Sequence, residues 1–166
     1  ANIRGGGEYG PRWHQAALRE NRNKAYEDFA AVAQDLIARK ITQPARLGIQ
    51  GGSNGGLLTG NMMVMYPELF GAVVSQVPLL DMYRYDKLLA GASWMAEYGD
   101  PDVPSDWAFL RKYSPYHNVK KGVDYPPVLF TTSTRDDRVH PGHARKMTAR
   151  MLEQGHDVTY YENIEG

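Results

Sequence analysis

The chain has no cysteine among its 166 residues. That excludes disulfides, thiolate metal sites and a cysteine nucleophile, and leaves both oxidising and reducing compartments open. Net charge is also missing: 19 lysines and arginines balance 19 aspartates and glutamates. No basic run could follow a phosphate backbone, so nucleic acid is not expected as a partner. No stretch of about 18 apolar residues occurs, and the opening ANIRGGGEYG lacks the charged and apolar blocks of a signal peptide. A soluble domain without a membrane partner is expected, in cytoplasm or periplasm. There is no internal repeat and no low-complexity segment. The length suits one domain with a substantial core.

What the chain does have is glycine, and it is concentrated. QGGSNGG, Gln50 to Gly56, sets one serine among four glycines. Glycine inside an element costs roughly 0.5–1 kcal/mol relative to alanine, so such a cluster marks a backbone that turns sharply or approaches something closely. ARLGIQ (45–50) before it reads as a short buried strand. LLTGNMMVMYPELF (57–70) after it reads as a helix up to the residue before Pro67. Gly51, Ser53 and Gly55 fit G-x-S-x-G in the strand–turn–helix context of a nucleophile elbow, where a serine Oγ stands above a sheet.

Along the rest of the chain, Arg12–Arg22 is polar with mixed signs and is expected at the surface. Asn23 suits an N-cap, with Tyr26, Phe29, Val32, Ala33, Leu36 and Ile37 at helical spacing through Lys40. Gly71–Pro78 and Pro126–Thr134 read as strands, and a helix is expected over Gly142–Gln154 with Met147, Met151 and Leu152 on one face. Asp157–Ile164 reads as a last strand. Residues 79–125, rich in aromatics and proline, form an excursion of the kind that builds pockets. Strands alternating with helices predict an α/β fold, an α/β-hydrolase-like, mainly parallel sheet with helices on both faces. Functional groups then gather at the carboxyl ends of the strands, where Ser53 and RDD (135–137) both fall. Both ends read as cut, ANIRGGG like the end of a strand entering a loop, so 1–166 is expected to be a partial catalytic domain.

A serine hydroxyl needs a base, a group to orient that base, and donors for the oxyanion. The backbone N–H of Asn54, next after Ser53, supplies one donor. Asp136 and Asp137 sit where the chain order Ser, Asp, His expects an acid; capping of the following turn or an ion pair to Arg138 is the alternative, weighted toward Asp137. The base belongs after the last strand, and no histidine occurs there. His140 is the first substitute candidate; His143 also opens the following helix, and His14, His117 and His156 read as surface or loop residues. RDDRVHPGH is a weak metal pattern, and neither metal nor cofactor is expected.

NIRGGGEYG, GGSNGGLL, YPELFGAVVSQVP, WMAEYGDP, YSPYHNV, TRDDRVHPGHARKM and YYENIEG together resemble the catalytic domain of the prolyl oligopeptidase family of serine peptidases, nearly end to end. The resemblance implies an α/β-hydrolase domain joined to a β-propeller, cutting short peptides after proline. By matching motif, Ser53 is the nucleophile, Asn54 an oxyanion donor and Asp136 the triad acid. Arg138 would hold a substrate carbonyl; Trp94, Tyr98 and Leu79 would line the proline pocket. The propeller and the loop giving a tyrosine hydroxyl to the oxyanion hole have no counterpart here, and the family histidine is expected just beyond Gly166. Two other readings stand beside peptide cleavage: an esterase acting on small acyl esters, and a catalytically silent fragment, prone to self-association through opened sheet edges.

Overall fold

The computed structural model describes residues 1–165. Four parallel strands, β1 (Gly48–Gly52), β2 (Ala72–Gln76), β3 (Val128–Ser133) and β4 (Val158–Asn163), form one sheet in the order β1-β2-β3-β4. The register pairs Gly52 with Gln76, Gln76 with Thr131, and Ser133 with Asn163. All four carboxyl ends therefore meet at one edge. The ladder continues past the strands through Ser53 N–H to Gln76 O (2.9 Å), Val77 N–H to Thr131 O (2.7 Å) and Thr134 N–H to Asn163 O (2.9 Å).

Period-two burial shows which face is covered. Val73, Ser75, Val128, Phe130 and Thr132 are buried, while Val74, Gln76, Leu129, Thr131 and Ser133 are half-buried. Over the covered face lies the helix after β1 (Asn54–Met65), whose Leu57, Met62 and Met63 are fully buried. A helix apolar on every side must be enclosed. Here β1 and β2 lie beneath it, and a four-residue helical turn at Pro115–Asn118 lies above; a Cβ on Gly60 would come within 3.2 Å of Pro115 Cγ.

The helix from Asn23 starts one residue earlier than its cap requires. A 3-10 turn at Arg19–Asn21 runs straight into it, so Arg22 is already helical (φ −58°, ψ −32°) and no extended residue is left to cap. Asn23 instead donates to Glu27 Oε1 (2.8 Å). The helix stops at Ala38, and Lys40 takes a positive φ of 59°. Tyr26 and Ala33 are buried; Val32 is 40% exposed, on a groove of about 200 Å³ along β1 with Phe29, Leu47 and Phe70.

In the last helix (Gly142–Glu153) the buried stripe is His143, Ala144, Met147, Thr148 and Met151. Leu152 lies about 100° further round than Met151, outside that stripe, and is 58% exposed, contrary to expectation. The first residues also differ from expectation: Ala1–Ile3 is unpaired and Arg4–Tyr9 is a run of turns. The 79–125 excursion is helical in short pieces, the longest α-helix among them being Pro104–Leu110. No helix among the described residues is long and apolar enough to cross a membrane.

Candidate active site

Ser53 occupies the turn between β1 and the Asn54 helix with φ 56° and ψ −112°. A non-glycine residue there costs on the order of 1–3 kcal/mol, so the surrounding structure must impose the conformation. Two glycines show how. A Cβ on Gly51 would stand 2.4 Å from the Gly55 carbonyl oxygen, and one on Gly56 would stand 2.7 Å from Pro78 Cα. Strand and helix meet too closely at these points for any side chain. Gly52 and Gly55 are not so confined: a Cβ on Gly52 would make ordinary contact and one on Gly55 would meet nothing. Asn54 opens the helix, so its N–H has no intrahelical acceptor and lies at the positive end of the helix dipole.

Asp136 follows β3 at the same sheet edge, two strand spacings from Ser53, or about 10 Å along the hydrogen-bonding direction. Its Oδ1 accepts the N–H groups of Arg138 and Val139, each at 2.9 Å. The turn-capping role weighted toward Asp137 thus belongs to Asp136, which starts the turn two residues before Arg138; Asp137 is exposed. The loop is also clamped from β4. Glu162 accepts from Thr134 Oγ1 (2.6 Å), Arg145 Nε (3.0 Å) and Tyr160 (2.5 Å). Arg145, Thr134 and Tyr160 hold its carboxyl at about 2. Arg135 Nη1 reaches Glu165 O at 2.8 Å, so the chain leaves β4 beside the acid loop.

A model of the prolyl oligopeptidase family matches residues 1–164. The chain belongs to that family. It is 63% identical, over its whole length, to an uncharacterized peptidase of Sinorhizobium fredii, of which it covers 23%. With the prolyl endopeptidase of Dictyostelium discoideum it shares 42% identity over 93% of this chain and 20% of that protein. The structure of a post-proline cleaving enzyme from Rickettsia typhi superposes with a TM-score of 0.93 at 48% identity, over 97% of this chain and 23% of that one. The chain thus spans less than a quarter of the length of these relatives, and the parallel sheet with its helices is that of the family's α/β-hydrolase domain.

The residues matched to the prolyl oligopeptidase proline pocket lie in different surroundings. Trp94, half-buried, lines a cavity of about 240 Å³ with His14, Leu18, Ser93, Ala96 and Glu97, which includes neither Ser53 nor Leu79. Leu79 is 2% exposed and packed in the core. Tyr98 is buried: its ring meets Tyr85 edge-on (5.5 Å) and its hydroxyl donates to Asn54 Oδ1 at 2.5 Å. Burial raises its phenol far above the ordinary range. Arg138 is exposed, with no ion pair among the described residues, and its carbonyl accepts from Ala90 N–H (3.3 Å), docking the acid loop on the excursion.

Among the described residues no histidine is hydrogen-bonded to Ser53. His140, the first substitute candidate, accepts Gly142 N–H at Nδ1 (2.8 Å), inside its own turn. His143 Nδ1 accepts Leu80 N–H (3.2 Å) and Asp81 N–H (3.0 Å), and burial pushes its imidazole down to about 4. His14 bonds Gly5 O, His117 bonds Ser114 Oγ and His156 bonds Lys120 O. Within RDDRVHPGH, Asp136 Oδ1, His140 Nδ1 and His143 Nδ1 each accept from backbone N–H groups, and Asp137 is exposed. The position matched to the family histidine lies outside the described residues.

One residue of this site has no sequence signal. Arg22, expected at the surface, is 4% exposed. Its Nη2 donates to Asn54 Oδ1 (2.6 Å) and its Nη1 to Glu97 Oε1 (2.7 Å). Its guanidinium lies 5.3 Å from the Tyr98 ring centroid. Burial opposes the charge, but Tyr26, Tyr98 and Glu97 outweigh it and keep the guanidinium protonated.

Proposed function

We propose that this chain carries the nucleophile and the acid of a serine peptidase that cleaves short peptides after proline through an acyl-enzyme on Ser53. The observation that carries this reading is the forced conformation of Ser53 at the mouth of a helix, within a family whose characterised relatives are named as prolyl endopeptidases. The Ser53 Oγ adds to the scissile carbonyl as a base takes its proton. The oxygen that becomes negative is met by the Asn54 N–H. Collapse returns that proton to the departing amine and leaves the ester, which water then hydrolyses. Asp136 keeps Oδ2 for the base while Oδ1 holds its own loop. Arg138, free of ion pairs among the described residues, is available to a substrate carbonyl, and Trp94 offers an indole face to the proline ring. Tyr98 and Leu79, matched to the same pocket, are packed in the core.

The test is the intact mass before and after a fluorophosphonate, with Ser53→Ala as control, followed by turnover of a prolyl amide against a simple acyl ester. A Ser53-dependent adduct with preference for the prolyl amide is the expected result; preference for the acyl ester would make the chain an esterase. A second reading is favoured by the engagement of all five histidines elsewhere. On that reading residues 1–166 alone are silent, and the absence of an adduct at the mass of those residues is its signature.

A further inference from the structure

We propose that Arg22 is a positioning residue for the oxyanion donor, fixing Asn54 and the Trp94–Tyr98 segment in one register from beneath the elbow. This inference rests on the reading of Asn54 as that donor.

The geometry is a closed ring of bonds. Arg22 Nη2 holds Asn54 Oδ1 at 2.6 Å and Arg22 Nη1 holds Glu97 Oε1 at 2.7 Å. Glu97 belongs to the short helix Met95–Tyr98, and the hydroxyl of Tyr98 returns to the same Asn54 Oδ1 at 2.5 Å. Arginine only donates, so the atom of Asn54 facing it must be the oxygen; the amide orientation follows from chemistry. Both donors converge on that one oxygen and leave the Asn54 Nδ2 group directed away from them. The planar fork of the guanidinium serves two acceptors in different directions, which an ammonium cannot match.

The anchor is itself held. Arg22 ends the turn at Arg19–Asn21, and Arg19 Nη2 pairs with Asp106 Oδ2 at 2.7 Å in the helix Pro104–Leu110. One short connector therefore fastens the residue after the nucleophile, the segment bearing Trp94, and the next helix of the excursion. Displacing a donor by about 1 Å from the reacting oxygen can cost about 10²-fold in rate. Loss of Arg22 releases Asn54 on one side and leaves the Glu97 carboxylate without its cation.

Arg22→Met, Arg22→Lys, Asn54→Ala and the Arg22→Met/Asn54→Ala pair, placed in the natural polypeptide, test this together with a crystal structure of Arg22→Met. In Arg22→Met, kcat on a prolyl amide per folded molecule should fall about 10²-fold, with KM changed less than about threefold. Arg22→Lys should recover part of the loss, and the pair should lose less than the product of the two single losses. A kcat per folded molecule within about twofold of the parent, or independent multiplication of the two losses, overturns the proposal. If the parent neither labels nor turns over substrate, the peptidase reading fails by itself and the crystal structure decides the question of Arg22. A turned Asn54 amide or a displaced Trp94–Tyr98 segment supports the positioning role; both unmoved overturns it.

Discussion

The nucleophile turn and the acid loop stand at the same edge of one sheet and are built on opposite principles. Ser53 is placed by exclusion: backbone approaches that admit no Cβ at Gly51 or Gly56 leave the serine no relaxed conformation. Asp136 is placed by attraction, through its own Oδ1 on two backbone N–H groups and through the clamp of Glu162 on Thr134 and Arg145. Steric placement does not titrate and tolerates no side chain. Polar placement tolerates substitution in steps and responds to pH.

The sharpest break in that comparison is Ser53→Ala against Asp136→Ala. The first should abolish fluorophosphonate labelling, a loss on the order of 10⁶ in turnover for triad members, with folding intact. The second should lower the labelling rate less and also loosen the loop, read as faster hydrogen exchange at Val139 N–H. Next in size, Gly51→Ala should destabilise by about 3 kcal/mol or more in chemical denaturation, since its Cβ meets backbone. Gly55→Ala, with open space around it, should be neutral or stabilise by about 0.5–1 kcal/mol. Equal effects would mean that the elbow is not sterically set.

The pH dependence is a smaller effect. Glu162 is held at about 2 against an ordinary 4.5, so its contribution is full above about pH 4.5 and is lost as the pH falls toward 2. Glu162→Gln should flatten that part of the stability profile, followed by thermal melting. His143, held neutral at about 4 against 6.5, acts over a higher window: stability should decline as the pH falls from about 6.5 to 4, because the unfolded chain takes up the proton first. A melting temperature level between those values would break the link to His143. The smallest effect is Leu152→Ala, on the solvent side of its helix, expected within about 0.5 kcal/mol of the parent.

The parts legible in the sequence were those made by neighbours along the chain. The elbow is a five-residue pattern between a strand and a helix, and β2 and β3 open on local apolar runs bounded by glycine, proline or turn residues. What escaped depends on distant partners. Arg22 sits in a polar stretch and becomes buried only because Asn54 and Glu97 arrive from remote segments. Asp81, wholly buried between Lys146 and Arg84, carries no local sign of that fate. Asn23 lost its capping role to a 3-10 turn that residue preferences do not reveal, and Leu152 was misplaced by a fraction of a helical turn. The pocket residues were named by resemblance, and the bond from the Tyr98 hydroxyl to Asn54 is a tertiary contact that no spacing encodes.

The strand order β1-β2-β3-β4 follows the order of the chain, which bears on how the domain is made. β1, its helix and β2 contact one another within residues 48–76, with few residues between them. The pairing of Val73 with Val128 must wait for the whole 79–125 excursion, and the entropy of closing that loop is spent before any β2–β3 contact rewards it. The nucleophile turn thus needs contacts only within residues 48–78, whereas a Ser-Asp pair on one edge also needs the β2–β3 pairing across the excursion.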